Sequence, residues 1–251
     1  MFRTTQALVL HTTKYAETSI IAQIFTRELG VRSYIVKGIR SAKSRSKQNM
    51  LQPLSHLDMC VYDNPGKQLQ YIKEMHPANH YNNIYSHNVK MALMFFMDEV
   101  LYKSLKEAEP NTSLFDFVVE QISSLDTDRF VHESYLSAFP IHFLLHTARH
   151  LGIEPMDNYS ASEPLFNLKE GRFLAHPTSF SSTGNEDYFL DTLASNNFHQ
   201  CLTDSLQHDI PLQLSSRDRA TTLSNILEYY HIHLPDFNNF TSHQILHSVL
   251  R

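Results

Sequence analysis

The spacing of hydrophobic residues along the chain changes once, near residue 76. Before that point, short segments rich in β-branched and aromatic residues partly alternate apolar with polar positions, which is typical of β-strands. They cover residues 5–11, 19–26, 31–37, 54–62 and 68–74. The segments between them carry turn residues, such as Gly30 in TRELG and the Pro65-Gly66 pair in DNPGK. We therefore predict five strands within residues 1–76.

Five short strands joined by one long connection favour a small closed barrel of the OB kind, because a sandwich usually has about seven strands. The long connection is VKGIRSAKSRSKQNMLQPL, residues 36–54, called the basic segment below. Its Ser and Lys content is typical of a flexible, solvated loop. Residues 1–76 are thus predicted to form a five-stranded OB-fold barrel.

After residue 76 the apolar residues recur every three or four positions, which is the period of an amphipathic helix. Such segments span residues 84–108, 113–124, 132–151, 186–195 and 217–230. Residues 153–184 interrupt this pattern with three prolines, yet their centre is too apolar for a disordered linker. We predict an all-helical domain over residues 77–251 with a small inserted hairpin segment at about 153–184. The fold class is then α+β.

The distribution of charge separates the two parts further. The whole chain is acidic, with 21 Lys and Arg against 26 Asp and Glu in 251 residues. Residues 1–80, however, hold 11 Lys and Arg against 5 Asp and Glu, which leaves a net charge of −11 on the remainder. No carboxylate lies between Glu28 and Asp58, where six basic residues occur. The predicted barrel therefore carries a local positive field on an acidic protein.

The basic segment is suited to binding phosphates. Its lysines and arginines are separated mainly by serine and alanine, so cations can displace condensed counterions while the small residues let the backbone approach. It has no geometry for reading base edges, so binding should be independent of sequence. Tyr34, Tyr62 and Tyr71 on the predicted strands are candidates for stacking on bases, although strand aromatics more often belong to the core.

Two other interpretations of the basic segment remain open. It could be a solvated surface with no partner, although a merely solubilising surface usually mixes charges of both signs. It could also belong to a protein–protein adaptor and bind an acidic protein partner.

The motifs of common enzymes are missing from the sequence. The glycines form no GxGxxG, and no GxSxG elbow occurs. His142, His146 and His150 recur every four positions and would share one helix face, a spacing with which imidazoles can share a zinc ion. HFLLH lacks the glutamate of HExxH, so we favour a structural helix face and rank a zinc hydrolase last.

The chain has no run of about 18 apolar residues, and its first residues lack a secretory hydrophobic region. Cys60 and Cys201 are far apart and form neither a CxxC pair nor a disulfide framework. We therefore expect a cytoplasmic protein that has no membrane partner, is not an enzyme and needs no cofactor or metal.

Three stretches carry recognisable motifs. The first is ALVLHTTKYAETSIIAQIFTRELG, with Tyr15-x-Glu17 and Thr26-Arg27-Glu28-x-Gly30. The second is the basic segment, in which a Lys-Gly pair precedes Ser, basic residues and Leu-x-Pro. The third is SRDRATTLSNILEYYHIHLPDFNNFTSHQILHSVL near the C-terminus. Together they resemble the RecO family of bacterial recombination mediators and DNA repair proteins, over nearly the full length of the chain.

The resemblance implies an OB-fold followed by a helical domain. It implies binding to single- and double-stranded DNA, annealing of complementary strands, and RecA loading together with RecR and the C-terminal tail of the single-strand-binding protein. The helical part is then the protein-contact half, with a basic spot for the tail such as Arg217 and Arg219, or Lys103 and Lys106. The residues that we assign to DNA binding are Arg27, Arg32, Lys37, Arg40, Lys43, Arg45 and Lys47.

One departure from that family concerns zinc. Many of its members carry two CxxC pairs after a Leu-Gly-x-x-Pro signature, and these cysteines bind zinc. The chain has the signature at Leu151-Gly152-Ile153-Glu154-Pro155, but no cysteine follows it within the insertion. We therefore expect an insertion without zinc, held by a small apolar core of Tyr159, Leu165, Phe166, Phe173 and Leu174.

Overall fold

The structure is a computed structural model that describes residues 1–39, 44–64, 66–106, 109–127, 133–175, 188–205 and 212–249. Its Cα packing divides the chain into two compact units, Met1–Arg129 and Phe130–Arg251. The domain boundary between residues 76 and 77 stays a prediction. The last strand of the barrel ends at Pro77, and two helices of the first unit follow it.

Five strands form a closed barrel in the first unit: β1 Phe2–Tyr15, β2 Ser19–Thr26, β3 Gly30–Val36, β4 His56–Tyr62 and β5 Leu69–Pro77. Their order around the barrel is β1, β2, β3, β5, β4, and β4 pairs with β1 to close it. All neighbours are antiparallel except β3 and β5, which are parallel. A five-stranded barrel of this kind is an OB-fold, which confirms the predicted fold class.

Alternate residues of the strands fill the interior of the barrel. The central members are Ala7, Val9, Ala22, Ile24, Tyr34, Leu57, Met59 and Val61. Each large apolar side chain buried in this way contributes about 1.5–3 kcal/mol to folding. Tyr34 is 0% exposed. The suggestion that Tyr34 stacks on bases is therefore wrong, since its ring belongs to the core.

Besides the short helix α1 Arg45–Asn49 in the basic segment, the first unit has two long helices that follow the barrel, α2 Asn88–Ser104 and α3 Thr112–Leu125. The Asn111 side chain caps α3 by accepting a hydrogen bond from the Leu114 N–H at 3.0 Å. Phe115 of α3 lies against Phe25 of β2 and His56 of β4, with ring centroids 5.4 and 6.0 Å apart. One outer face of the barrel is thus covered by α3.

The second unit contains α4 Glu133–His150, α5 Thr192–Ser205, α6 Ser216–His233 and α7 Ser242–Val249, with a hairpin of β6 Leu165–Asn167 and β7 Arg172–Leu174. The predicted helix at residues 186–195 is misplaced. Phe189 forms a β-bridge with Asn167, and α5 begins only after Asp191, which accepts a hydrogen bond from the Ala194 N–H. Within the described ranges, no helix is long and apolar enough to cross a membrane.

The inserted hairpin segment is confirmed by β6 and β7, and its described part is residues 153–175. Phe166 and Phe173 are fully buried, and their ring centroids lie 5.0 Å apart. Tyr159 meets Phe173 edge-on at 5.3 Å, whereas Leu174 is only half-buried. The predicted apolar core therefore exists, and it extends into α5, where Phe198 stacks on Phe166 at 4.2 Å.

Two asparagines hold the backbone of the insertion. The Asn158 side chain donates to the Phe173 carbonyl oxygen at 3.0 Å and accepts from the Phe173 N–H at 2.9 Å. Asn167 is completely buried, and its Oδ1 accepts from the N–H groups of the two turn residues 169 and 170 at 3.0 and 2.9 Å. Gly171 closes this turn with φ +68, and a Cβ there would lie 3.0 Å from the Tyr229 hydroxyl oxygen. Amide hydrogen bonds and aromatic packing thus give the insertion its shape.

Candidate nucleic-acid interface

The basic segment is anchored at both ends by residues that pack in the barrel core. Ile39 and Leu51 are 1% and 5% exposed and insert into the barrel core. Ser44 Oγ donates to the Gly38 carbonyl oxygen, and Gln48 Nε2 donates to the Ile39 carbonyl oxygen, each at 2.6 Å. Residues Arg45–Asn49 form a short helix, α1. The prediction of a flexible loop is therefore wrong for the described parts of the basic segment, because two apolar anchors and local hydrogen bonds fix their shape.

Three lysines from separate elements meet in one groove of about 350 Å³ on the barrel, called the lysine groove. Lys37 follows β3, Lys47 lies on α1 and Lys73 lies on β5. The parallel pairing of β3 with β5 brings the first and the last together. Glu74 also lines the groove, and its carboxylate lies 3.3 Å from Lys73 Nζ. That hydrogen bond raises the pKa of Lys73, so its ammonium stays charged.

Three half-exposed aromatic side chains lie beside the groove and are called the aromatic row. Phe2 of β1, Tyr62 of β4 and Tyr71 of β5 are 48%, 46% and 42% exposed. The strand register sets Phe2 opposite Tyr62, and Tyr62 opposite Tyr71. Lys37 Nζ is 5.4 Å from the centroid of Tyr71, and Lys73 Nζ is 4.9 Å from that of Phe2. One face of the barrel therefore presents rings and ammonium groups together.

Two of the arginines assigned to DNA binding, Arg27 and Arg32, have hydrogen-bond partners within the protein. The Arg27 guanidinium donates to both carboxylate oxygens of Asp116 in α3, at 2.7 and 2.8 Å. This pair raises the pKa of Arg27 and lowers that of Asp116. Arg32 Nε donates to the Leu29 carbonyl oxygen at 3.1 Å. Neither arginine is among the described residues that line the lysine groove.

The structure thus brings together only part of the predicted set. Lys37 and Lys47 share the lysine groove, and Arg45 is exposed on α1, the helix that also carries Lys47. Arg40 and Lys43 lie outside the described residues. Sequence reasoning missed Phe2 and Lys73. The alternation of β5 could have indicated Lys73, because it places Lys73 on the same face as Tyr71.

No metal centre emerges from the described side chains, and the Cys201 thiol is not reactive. Among the residues that the structure describes, no group of three or more His, Cys, Asp or Glu could hold a metal ion, and this includes His142, His146 and His150 of α4. Burial raises the pKa of the Cys201 thiol to about 12, so it is protonated and not nucleophilic at neutral pH.

We expect protein purified without a histidine tag to contain no stoichiometric zinc. The insertion has no cysteine and is held by the Phe166–Phe173 packing and by Asn158, so it needs no ion. Elemental analysis measures the metal content, and thermal unfolding with and without EDTA measures its structural role. One equivalent of tightly held zinc, or a lower melting temperature in EDTA, would contradict this prediction.

The second unit has a larger groove, of about 640 Å³, among α4, α6 and α7. Its walls include the apolar residues Ile141, Leu223 and Leu246 and the basic residues Arg217 and Arg219. Arg219 donates to the Leu214 carbonyl oxygen at 2.6 Å, whereas Arg217 is exposed. An apolar groove with an arginine at its side can accept a chain that combines apolar and acidic groups.

The second basic spot predicted for the tail, Lys103 and Lys106 in the first unit, has one exposed lysine, Lys106. Lys103 Nζ lies 3.6 Å from the Glu99 carboxylate, and both side chains are mostly buried. Lys106 Nζ lies 4.9 Å from the centroid of the Tyr102 ring.

Comparison with known proteins assigns the chain to a family. Residues 1–81 match the family model described as "Recombination protein O N terminal". The "DNA repair protein RecO" of Flavobacterium psychrophilum is 30% identical over 247 residues, and those of Christiangramia forsetii and Bacteroides fragilis are 27% identical over 248 and 28% identical over 247. Each alignment covers 98% of this chain and 98% of the relative. The chain therefore belongs to the RecO family of DNA repair proteins.

Proposed function

We propose that this chain is a non-enzymatic mediator of DNA repair and recombination, which binds single- and double-stranded DNA without sequence specificity. The observation that carries the proposal is the meeting of Lys37, Lys47 and Lys73 in one groove of the barrel. Arg45 on α1, together with Arg40 and Lys43 of the same segment, is proposed to extend this positive surface. Membership of the RecO family supports the role in repair.

The lysine groove is suited to phosphates rather than to bases. Lysine is a point charge on a flexible stem, so it attracts a phosphate without imposing the planar geometry that reads a base edge. Each neutralised phosphate releases condensed counterions, and this gain is the same for every sequence. Duplex and single strands both carry phosphates, so both are expected to bind.

Annealing follows from the same neutralisation, because two strands held at a cationic surface repel each other less. We expect the protein to accelerate the pairing of complementary 30-mers, measured by energy transfer between dyes on the two strands. The acceleration should decline as salt is raised, since salt weakens phosphate binding. DNA binding without any acceleration at low salt would contradict the annealing part of the proposal.

We further propose that the second unit contacts proteins, and that the chain helps to load RecA together with RecR and the single-strand-binding protein. The groove among α4, α6 and α7 is proposed to bind the acidic C-terminal tail of the single-strand-binding protein. Its Ile141 and Leu246 would receive apolar side chains, and the exposed Arg217 would pair with a carboxylate.

A fluorescent peptide carrying that tail tests this docking site by anisotropy. Arg217→Ala should weaken peptide binding by about tenfold, since a charge-assisted hydrogen bond contributes about 1.5 kcal/mol or more. Arg172→Ala is the matched control, because it removes one exposed arginine of the same unit that does not line the groove. Equal affinity of the Arg217 variant and the unchanged protein would exclude this docking site.

A further inference from the structure

We infer that the aromatic row stacks on the unpaired bases of a strand held in the lysine groove, so that this face of the barrel favours single strands over duplex. The inference rests on the proposed function, because stacking requires DNA at the lysine groove. It adds a second kind of contact to the same surface, with the faces of the bases rather than with the phosphates.

The exposure of Phe2, Tyr62 and Tyr71 is the first argument. Each ring leaves between 42% and 48% of its residue surface to solvent, although the three are neighbours on adjacent strands. The outward rings of Phe25 and His56 on the other face lie against Phe115 instead. A contiguous exposed apolar patch on a soluble protein commonly marks a binding surface.

The dimensions of the aromatic row fit a short piece of single strand. Adjacent strands of a sheet lie about 4.8 Å apart, so a row across β1, β4 and β5 spans roughly 10 Å. That length corresponds to about three steps of a stacked strand, at about 3.4 Å for each nucleotide. Aromatic rings next to a positively charged groove are how single-strand binders hold bases and phosphates at once.

The placement of the lysines connects the rings to the groove. Lys37 and Lys73 line the groove, and the same two ammonium groups lie over Tyr71 and Phe2. Exposed contacts between a cation and a ring are weak, so each lysine can turn to a phosphate while a base takes its place on the ring. The strand would then run along the boundary between the groove and the row.

Stacking of this kind distinguishes single-stranded DNA from duplex DNA. In a duplex the bases are stacked inside the helix and cannot reach the rings, so only the lysines contribute. In a single strand the rings hold the face of a base, and its Watson–Crick edge stays free to pair. This free edge is what a complementary strand needs during annealing.

The affinities for two single-stranded oligonucleotides with equal numbers of phosphates test the inference. The unchanged protein is titrated with a thymidine 30-mer and with an abasic 30-mer of the same backbone length. We expect the thymidine strand to bind about tenfold more tightly or better, because each base stacked on an aromatic side chain contributes about fivefold or more and the row has three rings. The slope of log K against log[salt] should be the same for both strands, since their phosphates are the same.

A double variant locates the effect. Tyr62→Leu with Tyr71→Leu should remove most of the preference for the thymidine strand, since Phe2 is the one ring of the row that remains, and should change duplex binding little. Tyr85→Leu is the matched control, because Tyr85 is 53% exposed and lies outside the aromatic row.

The outcomes separate this inference from the proposed function. Equal affinity of the unchanged protein for the two 30-mers overturns stacking and leaves phosphate binding intact. Binding to neither strand overturns both. Because this first comparison needs no variant, a folding defect in the double variant cannot obscure it.

Discussion

Changing Lys37, Arg45, Lys47 and Lys73 together to glutamine is expected to weaken the binding of single-stranded DNA by about 10²–10³-fold at about 0.1 M salt. Each phosphate contact on a single strand contributes about 0.7 to the slope of log K against log[salt], which corresponds to about fivefold in affinity at that salt concentration. Four lost contacts multiply these factors and flatten the slope by about 3. Fluorescence anisotropy over a salt series measures both quantities.

The quadruple variant should fold normally, because all four side chains are exposed and such substitutions cost within about 0.5 kcal/mol each. A control variant in which Lys106, Arg149, Lys169 and Arg172 become glutamine removes the same charge elsewhere. It should keep most of its affinity. Equal losses in the two variants would show that net charge alone governs binding. Adding Arg40→Gln and Lys43→Gln to the quadruple variant is expected to lower the affinity further.

Phe166→Ala is expected to destabilise the protein by about 3–5 kcal/mol, the range for removing a fully buried phenylalanine. The Phe166 ring is 0% exposed and lies 4.2 Å from Phe198 and 5.0 Å from Phe173. It therefore links the insertion to α5, in a segment that has no cysteine to bind a stabilising metal. Urea unfolding gives the free energy of unfolding for the variant and the unchanged protein.

The matched control for Phe166→Ala is Met156→Ala in the same insertion, since Met156 is 59% exposed and should matter little. If Phe166→Ala lowered the free energy of unfolding by less than about 1 kcal/mol, the aromatic core would not be what holds the insertion.

The barrel could be predicted from local patterns because its strands are short runs rich in β-branched and aromatic residues. Strand β2, Ser19–Thr26, was predicted to the residue for this reason. Strand β1 is longer than its predicted range, 5–11, and runs from Phe2 to Tyr15. Its exposed ends show no hydrophobic alternation, and they are strands only because they pair with β4 and β2. The local pattern of hydrophobic residues does not indicate how distant segments pair.

The candidate site could also be predicted only in part from the local sequence. The basic segment was recognisable because its positive charge is contiguous in sequence. Lys73 joins that charge only through the parallel pairing of β3 and β5, and Phe2 joins Tyr62 only through the closure of the barrel by β1 and β4. The partner of Arg27 is Asp116, 89 positions away. Local charge therefore indicated the region, whereas tertiary pairing decides which cations share one groove.

The salt dependence of DNA binding by the unchanged protein tests phosphate recognition most directly. Affinity for a single strand would be measured between low and moderate salt for two unrelated sequences of equal length. Four or more cations on phosphates predict a slope of log K against log[salt] of about −3 or steeper, and the same affinity for both sequences. A slope near zero, or no binding at low salt, would contradict phosphate recognition and favour an adaptor whose basic segment binds an acidic protein.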